Sequence, residues 1–218
     1  MKVGIIAEGH TDRHVLKNLL KGVSNVEYAN IIAIRPEDSL DETHLSHLNS
    51  DTFGSWTNVR NECIHREKIG QFFSIEGQEW IIIQIDSLQC DDYGLIRPNK
   101  SNTYSTDLRI LTIAKINEWI ENNFLDNIIY AIAIEEIESW VLTIYLNRNT
   151  TSFLDPKSRL KRELVKKGVD ISEIQKKYFN ISIEFAKKRN HQKHQYRNRN
   201  ESLNLFCTEL EQKIPFIE

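Results

Sequence analysis

The first twenty residues place the tightest constraint on the fold. An apolar run, Val3-Gly4-Ile5-Ile6-Ala7, ends in Glu8-Gly9-His10-Thr11-Asp12, and Val15, Leu16, Leu19 and Leu20 then recur with helical spacing. A short apolar run that passes at once into helical periodicity reads as a buried strand feeding a helix. Open α/β folds keep their sites outside the C-terminal ends of such strands. Glu8 stands at that end, where a carboxylate is costly to desolvate without a cation or a hydrogen-bond donor.

Three more apolar runs follow: Tyr28 to Ile34, Trp80 to Ile85, and Ile128 to Ile134. Helical patterns over Val59 to Phe73 and Leu108 to Phe124 separate them. Strands alternating with helices predict a parallel sheet with right-handed crossovers, and near-continuous apolar strands predict cover on both faces. The expected fold is therefore α/β, a Rossmann-like parallel sheet flanked by helices over residues 1–146. Residues 147–218 are expected to form a helical, basic C-terminal extension packed on that core, with helices at Leu160 to Lys167 and Ser202 to Ile214. Two polar segments interrupt the rhythm. Glu37 to Asp51 carries five acids and no base, and its His44 and His47 read as a surface pair. Asp91 to Asp107 is a long connection directly after the third strand, and loops of that length in a compact domain are often functional.

Composition narrows the function classes. The net charge of −3, from 28 basic and 31 acidic residues, rules out a polycation. Any nucleic-acid contact must come from a local patch or through a metal. Cys63, Cys90 and Cys207 are scattered, have no metal-ligand spacing, and read as buried thiols in a reducing cytoplasm. The apolar start lacks a cleavage-site pattern and is expected to be a strand, not a signal peptide. No apolar stretch approaches the roughly 18 residues of a membrane span.

Three of the four strands end in acids: Glu8, Asp86, and the Glu135-Glu136 pair. Parallel strands bring these ends to one edge, where the carboxylates repel unless a divalent cation sits among them. Hard oxygen ligands suit Mg²⁺ or Mn²⁺. If a helix starts at Glu135, that residue and Glu138 share a face while Glu136 lies about 100° away, so only one or two of the three can face the site. Thr11 or Asp12 is placed to cap the first helix. His10 and His14 flank the same turn, within reach of a phosphate or simply at the surface.

Glu8-Gly9-His10-Thr11-Asp12 after an apolar strand resembles the first motif of the toprim superfamily, which includes topoisomerase, primase and OLD-type (overcoming lysogenization defect) nuclease domains. The resemblance spans about residues 1–145, and a weaker match lies near Lys187 and Arg199-Asn200-Glu201-Ser202-Leu203. Toprim domains carry Asp-x-Asp at the third strand; this chain has Asp86-Ser87-Leu88, so leucine replaces the second acid. Asp91 or Asp92 is the local substitute within reach. The segment Glu136-Ile137-Glu138-Ser139-Trp140 is similar to an acidic Glu-x-Glu segment of small bacterial toprim proteins. The resemblance implies metal ligation by Glu8, Asp86 and Asp12, with a second metal at Glu136 or, failing that, Glu138. It also implies a downstream catalytic lysine, matched by Lys187 or Lys188, and a separate OLD-type (ABC) ATPase partner, since no Walker A sequence is present.

Lys187 to Arg199 carries six basic residues and no acid. Lys187, Lys188, Arg189, Lys193, Arg197 and Arg199 are candidate phosphate contacts, and Tyr196 a base-stacking ring. The reading with the most support is a Mg²⁺- or Mn²⁺-dependent nuclease of DNA or RNA, possible as a homo-oligomer, with anti-phage defence as the family-level setting. A catalytically degenerate toprim module that binds nucleic acid or the ATPase competes with it, favoured by Leu88. A nucleotide-binding or phosphotransfer enzyme ranks last, because no glycine-rich phosphate cradle is present.

Overall fold

The computed structural model describes residues 1–37, 56–151, 153–193 and 195–216. Strands β1 (Lys2–Ile6), β2 (Ile31–Arg35), β3 (Gln78–Asp86) and β4 (Ile128–Ala133) form one all-parallel sheet in the order β2-β1-β3-β4. Helix α1 (His10–Ser24) connects β1 to β2; α2 (Trp56–His65) and α3 (Glu67–Phe73) precede β3; α4 (Tyr104–Trp119) connects β3 to β4. The expected α/β sheet flanked by helices is thus observed. The chain leaves β1 toward β2 on one side and returns through β3 on the other, so the order reverses between β1 and β3. That reversal is where open α/β sheets form their crevice.

The alternation along each strand explains the layers. Val3, Ile5, Ile82, Ile129 and Ala131 face α1 and the C-terminal helices, while Ile6, Ile81, Ile83, Ile85 and Ile132 face α2, α3 and α4. All of these side chains are buried, which accounts for apolar runs without polar alternation.

Several element boundaries differ from the sequence expectation. The helix expected over Val59 to Phe73 is two helices, broken at Arg66, whose φ of 58° is left-handed. The helix expected to end at Phe124 ends at Trp119, and Glu121, Asn122 and Phe124 then take positive φ. The strand expected from Tyr28 begins at Ile31, after a 3₁₀ turn over Tyr28–Asn30. His44, His47 and all but the first residue of the acidic segment lie outside the described residues.

The C-terminal part comprises α5 (Glu138–Tyr145), α6 (Pro156–Lys166), α7 (Ile174–Ile181), α8 (Lys188–Gln192) and α9 (Glu201–Lys213). It shares a hydrophobic core with the sheet: Tyr178, Phe185, Leu203, Phe206 and Leu210 pack in the cluster that holds Ile5, Leu16 and Ile129. Asn18, fully buried on α1, donates to the Phe179 carbonyl and Ser182 Oγ, both at 2.8 Å, which ties α7 to the first helix. Side chains also close the outer edge of β4. Lys213 donates to the Ile128 carbonyl at 2.6 Å, Arg109 to the Tyr130 carbonyl at 3.3 Å, and Glu209 accepts from Tyr130 N–H at 3.4 Å. An exposed sheet edge invites pairing with another chain, and these groups occupy it. Among the described residues no helix is long and apolar enough to cross a membrane.

Candidate metal centre

Glu8 leaves β1 into the crevice beside the end of β3. Its carboxylate Oε1 accepts a 2.6 Å hydrogen bond from the Asp86 backbone N–H. The fully buried Gln84 completes the bridge: its Oε1 accepts from Glu8 N–H at 3.0 Å and its Nε2 donates to Asp86 Oδ1 at 2.8 Å. Gln84 is the one polar side chain inside the apolar run of β3, and that interruption was its sequence signal.

Asp12 joins them from the first turn of α1. The helix is capped by Gly9 with no side-chain hydrogen bond, so the capping role expected of Thr11 or Asp12 is not realised. Instead the Asp12 carboxylate is buried, and Thr11 Oγ1 donates to it at 3.3 Å. A Cβ at Gly9 would stand 2.9 Å from Asp12 Oδ2, so glycine makes room for this carboxylate.

The β4 exit supplies the remaining acids. Glu135 has a φ of 63° and pairs with Arg97 at 3.4 Å, which turns its charge away toward the loop after β3. Glu136 and Glu138 remain close enough to raise the pKa values of the other acids. Glu138 is buried in the first turn of α5 and accepts a 2.5 Å hydrogen bond from the Tyr178 hydroxyl of α7.

Electrostatics marks these groups as one cluster. Desolvation, then the Asp12 charge, pushes Glu8 up to about 8, against the lowering effect of the Asp86 N–H. Asp12 is pushed up to about 7, by burial first and Glu138 second. Asp86 is raised well above the usual carboxylate range by burial, Glu8 and Asp12. Glu136 is raised by burial and Glu138, with Lys157 opposing through its charge and through a backbone N–H bond to the carboxylate. Carboxylates that share a site with too little positive charge behave in this way. The donor set is all oxygen, drawn from the ends of β1, β3 and β4, the ligand type that hard divalent cations take. Among the described residues no group of three or more His, Cys, Asp or Glu is placed to hold a metal ion.

The residues expected from the loop and the basic strip go elsewhere. Leu88 is 46 % exposed, and Asp91 pairs with Arg97 at 3.1 Å instead of reaching the cluster. Arg97 also donates to the Ser87 and Leu88 carbonyls and to Tyr104, pinning the loop after β3. Lys187 pairs with Glu184, and Lys188 lies over the Phe216 ring at 3.5 Å. Arg197 is buried and pairs with Glu211 at 2.9 Å. Arg199 donates to the Thr143 and Leu146 carbonyls, and Tyr196 is buried, so it offers no open face to a base. Arg189 and Lys193 of the strip are exposed. Arg197 and Arg199 thus act as a structural clasp.

Four residues had no such role assigned from the sequence. Lys157 is the cation of the cluster, in the first turn of α6; the Asp155-Pro156 helix start was the available signal. Tyr178 had none. Asn200 and Ser202 hold the β4 exit: Asn200 Oδ1 caps α9 at Leu203 N–H, and Ser202 Oγ accepts from Trp140 Nε1 at 2.7 Å and Ile134 N–H at 3.4 Å.

No family model, no curated protein and no solved structure matches this chain, so the centre is read from its own residues.

Proposed function

We propose that the protein is a Mg²⁺- or Mn²⁺-dependent nuclease that cleaves phosphodiester bonds in DNA or RNA. The observation that carries the reading is the convergence of Glu8, Asp12, Asp86, Glu136 and Glu138 at the sheet's reversal point, where burial first and neighbouring acids second push Glu8 up to about 8 and Asp12 up to about 7. Such a group gains from a divalent cation, which supplies phosphate neutralisation and an activated water when bound.

The chain's own residues account for the rest. The Asp86 N–H orients the Glu8 carboxylate, while Gln84 holds the Glu8 backbone N–H and donates to the Asp86 carboxylate. Tyr178 holds one oxygen of Glu138 and leaves the other available. Lys157 adds positive charge beside Glu136, where a phosphate oxygen would carry its negative charge. The toprim resemblance of Glu8-Gly9-His10-Thr11-Asp12 supports the same reading, and with it a cytoplasmic setting, a separate OLD-type ATPase as partner, and a role in anti-phage defence.

A second reading, a degenerate toprim module that binds nucleic acid or the ATPase without cutting, is favoured by the exposed Leu88 at the position of the second aspartate. The deciding experiment combines Mn²⁺ titration calorimetry with cleavage assays on labelled DNA and RNA, for the native chain and Glu8→Gln. Mn²⁺-dependent cleavage that Glu8→Gln abolishes supports the nuclease. Mn²⁺ binding without cleavage, with or without an ATPase partner, supports the module.

A further inference from the structure

We propose that helix α6 is the track that carries the phosphodiester backbone of a nucleic-acid strand to the carboxylate cluster. The inference rests on the nuclease or nucleic-acid-binding reading above and assigns it a surface. Between Pro156 and Lys166 the helix holds five basic residues and one acid. Pro156, Leu160 and Leu164 face inward and are buried. Lys157 and Lys161 lie in a row along one flank of that stripe and Arg162 and Lys166 on the far side, all exposed.

The track has a direction. Lys157 lies at its inner end, where its charge and backbone N–H act on Asp12 and Glu136. From there the exposed cations run outward for about 14 Å at the helical rise of 1.5 Å per residue. One strand of B-form DNA advances a phosphate per 3.4 Å or so of duplex axis, and its phosphates lie farther apart along the strand itself, so that length spans a few phosphates. Lys161 and Arg162 make no ion pair among the described residues, whereas Lys166 pairs with Glu163 at 2.6 Å. Beside the helix start, Arg148 and Arg159 both lie over the Phe153 ring, at 4.9 and 4.6 Å, adding two oriented guanidiniums. Arg197 and Arg199 of the strip at 187–199 cannot serve in the same way, because they are committed to Glu211 and to backbone carbonyls.

The choice of a polyanionic strand follows from charge complementarity. The acid cluster repels a phosphate backbone, and a substrate drawn to it needs cations leading inward; α6 is the cationic element that begins there. DNA and RNA share this chemistry, so both are tested.

The experiment is fluorescence anisotropy with labelled 20-nucleotide single-stranded DNA and RNA, in EDTA so that no cleavage intervenes, at 50 to 200 mM salt. The variant Lys161→Ala/Arg162→Ala keeps good helix formers and leaves the cluster intact. It is expected to weaken binding at least ten-fold at 50 mM salt and to reduce the log–log salt slope by about 1.4, from roughly 0.7 per phosphate contact. Arg189→Ala/Lys193→Ala is the control and is expected to change affinity less than two-fold. A native-like melting temperature for both variants excludes misfolding as the cause. Unchanged affinity in the α6 variant, or an equal loss in the control, overturns the proposal. Loss of binding in the α6 variant, from a protein that never cleaves, leaves the track standing and counts against the nuclease reading alone.

Discussion

The Asp86 backbone N–H donates a 2.6 Å hydrogen bond to Glu8 Oε1, joining the ends of the two central strands. The bond is local compensation for one of several repelling charges. Removing a charge there while keeping the acceptor should therefore stabilise the metal-free protein. In Glu8→Gln the amide oxygen can still accept from Asp86. Its melting temperature in EDTA at pH 8 is expected to rise, by roughly 2–4 °C per kcal/mol for a chain of this size. Mn²⁺ affinity is expected to fall at least ten-fold. A lower melting temperature in EDTA would show that Glu8 is held chiefly by favourable contacts.

Burial of these acids, with repulsion between neighbours second, sets a pH dependence. Glu8 and Asp12 titrate at about 8 and 7 in the folded protein, against ordinary values of 4.5 and 3.8. The folded state then binds more protons than the unfolded state in between, so stability falls as pH rises. Their contribution is present in full below about pH 4 and lost progressively up to about pH 8. Melting curves in EDTA are expected to decline from pH 5 to pH 8.5, and millimolar Mn²⁺ to flatten the decline. A flat or rising profile in EDTA would contradict the electrostatic account.

Tyr178 reaches Glu138 from α7 with a 2.5 Å hydrogen bond in a buried setting. Tyr178→Phe leaves that carboxylate short of a donor and is expected to cost about 1–3 kcal/mol. The penalty should shrink when Glu138→Gln is already present, because contacting residues couple. Chemical denaturation of the four proteins in this cycle measures the coupling. Strict additivity would deny the interaction.

Arg97 binds Asp91, Glu135, Tyr104 and the carbonyls of Ser87 and Leu88. With Arg97→Ala, amide hydrogen exchange is expected to accelerate across residues 87–104 while the core strands stay protected. Exchange that rises evenly over the whole chain would mean that Arg97 supports global stability and not this loop.

Leu88→Asp tests what the missing acid costs. Leu88 is 46 % exposed, and its N–H bonds the Glu135 carbonyl at 2.9 Å, which any residue can do. Stability with Mn²⁺ present is expected to stay within about 0.5 kcal/mol. Mn²⁺ affinity is expected to rise roughly ten-fold. Unchanged affinity would show that residue 88 does not face the ion, and new cleavage from an otherwise silent protein would favour the degenerate module.

Much of this was already visible in the order of residues. Four apolar runs spaced by helical patterns predicted the parallel sheet, because burial on both faces leaves no alternation to misread. Acids at the ends of β1 and β3 followed from the same pattern, since the end of a strand is local information. Phase within a turn is not local: Glu135 is turned away by a left-handed backbone and by Arg97, thirty-eight residues earlier in the chain. Nor is the use of charge. Arg197 and Arg199 read as a phosphate strip, yet packing of α9 and α5 commits them to Glu211 and to backbone carbonyls. Tyr178 and Lys157 reach the cluster only because the C-terminal helices share the core of the sheet. Periodicity along the chain therefore determines which elements form and which ends carry acids. Which of those acids meet, and which cation or hydroxyl faces them, depends on contacts between distant segments that exist only once the helices are packed.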